Sequence, residues 1–202
     1  MPQFPDLFIL RHGQTEWNLL KKYQGQLDSP LTKLGQAQAA LQGEILQEHL
    51  AVRTLPAYAS PLRRAAHTAE LALLPLGQQA RHDSRLKEVH FGAWEGKTYV
   101  EVFGADDIDR SKDRFRRYFS SPNGESYADI ESRCRAFLSD LDGESIVVTH
   151  GITSRILRGL WLGLSPEAML DLPIGQGCVY HLHSGAEHCL EAAPANTAPP
   201  TK

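Results

Sequence analysis

Short, wholly apolar runs recur along this chain, each followed by a stretch with helical periodicity. That alternation limits the fold more than any other feature. "LFIL" (7–10) has no polar alternation, as expected of a strand buried on both faces. From Thr32, an N-cap candidate, "KLGQAQAALQGEILQEHL" reads as a helix with Leu34, Ala37, Leu41, Ile45 and Leu46 as its apolar stripe. "AYAS" (57–60) is a second short strand, and Pro61 suits the opening turn of a helix through "LRRAAHTAELALL". Residues 126–141 look helical, "SIVVT" (145–149) is the clearest strand, "SRILRGLWLGL" is another helix, and "CVYHLH" adds a final strand. Strands alternating with helices imply an α/β three-layer sandwich, a mainly parallel sheet with helices on both faces.

A chain of 202 residues suits one domain, expected over 1–191. Residues 89–125, dense in aromatic and charged side chains, break the alternation. They read as a small helical lid insertion over one end of the sheet, or as a peripheral packing element. The segment 192–202 has no large apolar residue and is expected to be a disordered tail. A formal charge of −3 argues against a nucleic-acid or polybasic membrane partner, while leaving room for a local basic pocket. No apolar run approaches the roughly 18 residues a membrane span needs, and "MPQFPDLF" lacks the pattern of a secretory signal. Three cysteines, Cys134, Cys178 and Cys189, form no even framework, which fits reduced thiols in a cytoplasm. His181, His183, His188 and Cys189 cluster in sequence, but no second ligand pair stands at a zinc spacing, so no metal is expected.

Ligands of such sheets sit beyond the carboxyl ends of the strands. Three of those ends deliver Arg11-His12-Gly13, Ser60-Pro61-Leu62-Arg63 and His150-Gly151. "LKEVHFGAWEG", which carries Glu88, lies between the second and third. Arg11 and His12 taken alone fit the first solvated residues beyond a strand equally well. Two arginines and two histidines at one edge repel each other unless an anion sits between them. They make a dianion pocket, and arginine's planar fork matches phosphate oxygens.

The blocks "LRHGQTEWN", "YQGQLDSPLTKLGQAQA", "ASPLRRAAHTAE", "LKEVHFGAWEG", "PNGES" and "VVTHGITSRIL" follow one another in an order that resembles the histidine phosphatase superfamily, also called phosphoglycerate-mutase-like. The resemblance runs from about Leu7 to His183 and implies a role for each matching residue. His12 would attack phosphorus to give a phosphohistidine. Arg11, Arg63 and His150 would clamp the phosphoryl oxygens, and Glu88 would be the general acid. Gly13 would keep a side chain from crowding the phosphate. Asn18, Gln24, Gly25 and Gly151 match phosphate- and substrate-contacting positions. Arg64 and His67 are expected in helix-surface or capping roles, and His90 at the rim or in packing.

The superfamily holds phosphatases and mutases. Only 62 positions separate Glu88 from His150, and the proline-rich stretch of the mutases is absent, so the chain looks like the small phosphatases. The implied activity is hydrolysis of a small phosphorylated metabolite without a cofactor. The alternatives are a phosphoglycerate mutase primed by 2,3-bisphosphoglycerate, and a non-catalytic phospholigand-binding module. Arg116 and Arg117 resemble a mutase pair that holds a substrate carboxylate, but the basic run around them equally describes a solvated helix face, the reading preferred here. The oligomeric state stays open, a homodimer being one option.

Overall fold

The computed structural model describes residues 4–104 and 114–192. In chain order the elements are β1 (Leu7–Arg11), α1 (Glu16–Leu19), α2 (Lys33–Leu50), β2 (Ala57–Ala59), α3 (Arg63–Leu73), β3 (Arg81–His82), α4 (Tyr99–Phe103), α5 (Arg114–Phe119), α6 (Tyr127–Ser139), β4 (Ser145–Thr149), α7 (Gly151–Leu162), α8 (Pro166–Asp171), β5 (Val179–His183) and β6 (Ala186–Leu190). The six strands form one sheet in the order β3-β2-β4-β1-β5-β6. The first four lie parallel, and β5 and β6 are antiparallel. The expected α/β sandwich is therefore present, with an antiparallel edge.

β1 is apolar on both faces because both faces are covered. Leu7 and Ile9 join the core formed with α6, α7 and α8, whereas Phe8 and Leu10 join the one formed with α2 and α3. Its register against β4, Leu7 opposite Ser145 through Arg11 opposite Thr149, brings the two carboxyl ends level. Backbone bonds continue past those ends: His12 N–H donates to Thr149 O and Ser60 N–H to Val148 O, each at 3.0 Å. The topology thus sets His12, Ser60 and His150 side by side.

Several helix expectations shift. α2 does begin after Thr32, whose hydroxyl accepts from Gly35 N–H, but its buried face is Gly35, Ala39, Gln42, Gly43, Ile45, Leu46 and Leu50. Leu34 is 53 % exposed. Small residues win the packed face because backbone approaches backbone there: a Cβ on Gly43 would lie 2.6 Å from Ala72 O of α3. α3 starts at Arg63 rather than Pro61, and the Asp28 carboxylate accepts from the N–H groups of Arg63 and Arg64 (3.1 and 3.5 Å), capping the helix from another loop. Of the expected tail, Ala192 packs against the α2–α3 core, and residues 193–202 lie outside the described residues. So does the centre of the expected lid, 105–113.

Candidate active site

The His12 and His150 rings are buried and 5.2 Å apart. Gly13 O lies 2.7 Å from His12 Nδ1. A carbonyl only accepts, so Nδ1 carries the proton and Nε2 presents its lone pair. Burial first, then the Arg64 and Arg11 charges, hold the His12 imidazole well below its usual range, so it is neutral near pH 7.

Two guanidiniums are fixed beside it. Arg11 donates from Nη1 to Ile174 O at 2.6 Å. Arg64 donates to Leu27 O (2.7 Å) and Asp28 Oδ1 (3.1 Å) from Nη1 and to Gly25 O (2.7 Å) from Nη2. Each keeps one buried Nε–H with no partner among the described residues. Anchored donors with an N–H left over are what an anion collects.

The structure corrects the arginine chosen from sequence. Arg63 is exposed and outside the pocket, whereas Arg64 lines it and its side chain is 1 % exposed. Both follow the same strand end, but neighbours on a helix point about 100° apart. Arg64 shares the inward face of α3 with Ala65, Thr68, Ala69 and Ala72. Arg64 is therefore not the helix-surface residue it was expected to be.

Glu88 sits against the first turn of α7. Its Oε1 accepts from the N–H groups of Val89 and Thr153, each at 3.1 Å, and lies 3.1 Å from the Thr153 hydroxyl, which donates to Lys87 O at 2.7 Å; Oε2 accepts from Ile152 N–H at 3.2 Å. Arg11, His12, Asn18, Gln24, Gly25, Arg64, Glu88 and Gly151 converge on one cavity of about 160 Å³. The Asn18 amide oxygen accepts from Thr15 N–H and Gln176 Nε2, which turns the amide nitrogen free for the cavity. Gly25 has φ +55°, and a Cβ there would lie 1.9 Å from Glu95 Oε1.

Gly13 has a different reason from the one expected. It does not line the cavity, and its Cβ would strike Gly35 O of α2 at 2.1 Å, so it serves packing. Arg117 also departs from expectation. It is buried, its guanidinium 4.8 Å from the Tyr99 ring and 5.3 Å from the Phe103 ring, rather than on a solvated face. It lines a second cavity of about 300 Å³ that shares Arg11, Asn18, Lys22, Tyr23 and Tyr118 with the first. The Arg116 side chain lies outside the described residues. His90 is 44 % exposed at its side chain and lies outside both cavities.

Lys22, Tyr23, Phe91, Tyr118, Ile152 and Ile174 complete the cavity wall and were not singled out from sequence. Lys22 and Tyr23 directly precede Gln24-Gly25, and that adjacency was a usable signal. Ile174 comes from the loop before β5 and carries none.

The histidine phosphatase superfamily (branch 1) model matches residues 7–195. This chain belongs to that superfamily. As a superfamily member it is 35 % identical to glucosyl-3-phosphoglycerate phosphatase of Mycolicibacterium vanbaalenii, covering 78 % of this chain and 74 % of that one. It is 29 % identical to a protein of Photorhabdus laumondii named as a probable phosphoglycerate mutase, covering 80 % and 77 %. A solved structure of mycobacterial glucosyl-3-phosphoglycerate phosphatase in complex with VO3 superposes with a TM-score of 0.80 at 30 % identity, over 94 % of this chain and all of that one. The resemblance drawn from the sequence blocks and the phosphatase reading both agree with these relatives, among which phosphatase and mutase names occur together.

Proposed function

We propose that this histidine phosphatase hydrolyses the phosphomonoester of a small acidic metabolite through a phosphohistidine on His12. The observation that carries it is the His12 Nε2 lone pair beside the leftover Nε–H groups of Arg11 and Arg64. In the first step Nε2 attacks phosphorus, and the ester oxygen departs with a proton from Glu88. In the second, Glu88 takes a proton from water, whose oxygen attacks phosphorus, and the bond to Nε2 breaks. Arg11, Arg64 and His150 stabilise the equatorial oxygens, where charge spreads in the transition state.

An acidic leaving group is supported by the second cavity, whose described lining carries Arg11, Lys21, Lys22 and Arg117 and, among those described residues, no carboxylate. The phosphoglycerate in the names of both relatives points to the same chemistry. Metal independence is part of the reading. Arg11, Lys22 and Arg64 line the phosphate cavity, and among the described residues no group of three or more His, Cys, Asp or Glu side chains could hold a metal ion. A cytoplasmic location is also part of it, supported by three free cysteines. No helix among the described residues is long and apolar enough to cross a membrane.

Mutase action is the second reading, favoured by the mutase-named relative and by Arg117 at the cavity wall. One experiment separates them. A phosphomonoester panel should release inorganic phosphate, leave acid-labile label on His12 after rapid denaturation, and keep its rate after chelation and dialysis. Efficient interconversion of 3- and 2-phosphoglycerate when primed with 2,3-bisphosphoglycerate, with little free phosphate, selects the mutase. Saturable binding without label or turnover selects the binding module.

A further inference from the structure

The two site imidazoles face opposite kinds of partner. His12 Nδ1 meets a carbonyl, whereas His150 Nε2 lies 2.7 Å from the hydroxyl of Ser60, a residue with no exposed surface. That hydroxyl oxygen also accepts from Leu62 N–H at 3.3 Å. Its own proton needs an acceptor, because a buried donor left unmade is costly. Among the described residues the only acceptor within reach is His150 Nε2. The other ring nitrogen, His150 Nδ1, is buried without a partner among the described residues.

We infer that Ser60 is a positioning residue: its O–H donates to His150 Nε2 and so holds His150 as the Nδ1–H tautomer. A neutral imidazole has one donor and one acceptor, so assigning Nε2 as acceptor fixes Nδ1 as donor. Burial, then the charges of Arg64 and other neighbours, keep that ring neutral. The opposite tautomer would strand the serine proton and, on the phosphate reading, leave His150 no proton for a phosphoryl oxygen. The pair is then complementary. His12 offers a lone pair to phosphorus and His150 offers an N–H to an oxygen on it. The consequence for binding rests on the phosphate reading of the pocket, but the tautomer itself does not.

The test reads the tautomer directly, by two-bond nitrogen–proton correlation on uniformly labelled enzyme at pH 7, with His150 assigned by the signals lost in His150→Gln. Wild type should show a protonated, pyrrole-type Nδ1 and a pyridine-type Nε2. Ser60→Ala should shift His150 toward the other tautomer and lower kcat/KM for a phosphomonoester by about tenfold, the effect of losing one hydrogen bond. Ser60→Thr, which keeps the hydroxyl, should restore both. A pyrrole-type Nε2 in wild type overturns the inference without any variant, as does an unchanged tautomer in Ser60→Ala. If the tautomer is as stated and orthovanadate leaves the His12 and His150 signals unmoved, the phosphate reading fails while the role of Ser60 stands.

Discussion

Exchanging the two neighbouring arginines of α3 one at a time tests the site where sequence and structure disagree. Arg64→Lys keeps a positive charge but loses the fork that reaches Leu27 O, Asp28, Gly25 O and the cavity together. Losing one charge-assisted hydrogen bond to the transition state costs about 1.5–3 kcal/mol, or about 10- to 150-fold in kcat/KM. The Gly25 and Leu27 carbonyls also lose a buried donor, so the melting temperature should fall as well. Arg63→Lys and Arg63→Ala change an exposed side chain and should stay within about 0.5 kcal/mol in stability, with kcat/KM nearly unchanged. The assay is phosphate release from one ester across all variants, with thermal melts to separate misfolding from lost binding. A large kinetic loss in Arg63→Ala together with a neutral Arg64→Lys would refute the assignment.

Glu88→Gln keeps the size but has no proton to give, so phosphoenzyme formation from an alkyl ester should slow far more than from an activated aryl ester; equal losses would demote Glu88 to a binding role. His12 and His150 are both held well below their usual pKa, so the folded chain binds fewer protons than the unfolded one once pH drops below about 6.5. Their contribution to stability is therefore complete above that pH and lost below it. The urea midpoint should be flat from pH 8 to 7 and fall from pH 6.5 to 5, with a shallower fall in His12→Gln/His150→Gln; equal slopes would contradict the burial account. Arg117→Met should raise KM for an ester bearing a carboxylate several-fold and leave a neutral ester unaffected, and equal effects on both would place Arg117 outside substrate selection.

Much of the site was legible because its chemistry follows strand ends, and "LFIL" and "SIVVT" mark those ends plainly. The rest depended on phase and reach. Arg64 was recoverable from sequence by asking which arginine shares a face with Ala65, Ala69 and Ala72, since an amphipathic helix turns that face inward. The stripe on α2 misled because Leu34 looks like core, while Gly35 and Gly43, chosen for close approach, carry no hydropathy signal. β6 was missed although Ser184-Gly185, at φ 52° and 80°, is a two-residue hairpin turn whose glycine could have announced it. β3 is two exposed residues and has no pattern to find. Gln176 reaches Asn18 and the carbonyl of His12 from the far end of the chain, and no local rule places such a contact.

The meeting of Gly13 and Gly35 bears on how such a site can diversify. A Cβ on Gly13 would lie 2.1 Å from Gly35 O, and one on Gly35 would lie 2.0 Å from Gln14 O, so Gly13 is barred from change by the backbone of Gly35, and Gly35 by that of Gln14, rather than by a movable side chain. Neither can be replaced first, and replacing both makes matters worse. The pair therefore behaves as a single heritable character that locks the nucleophile's loop onto α2. Lys22, Tyr23, Arg117 and Tyr118 line the second cavity and have no part in that interlock. A lineage can exchange them for new leaving groups while the phosphorus-attacking nitrogen stays where it is.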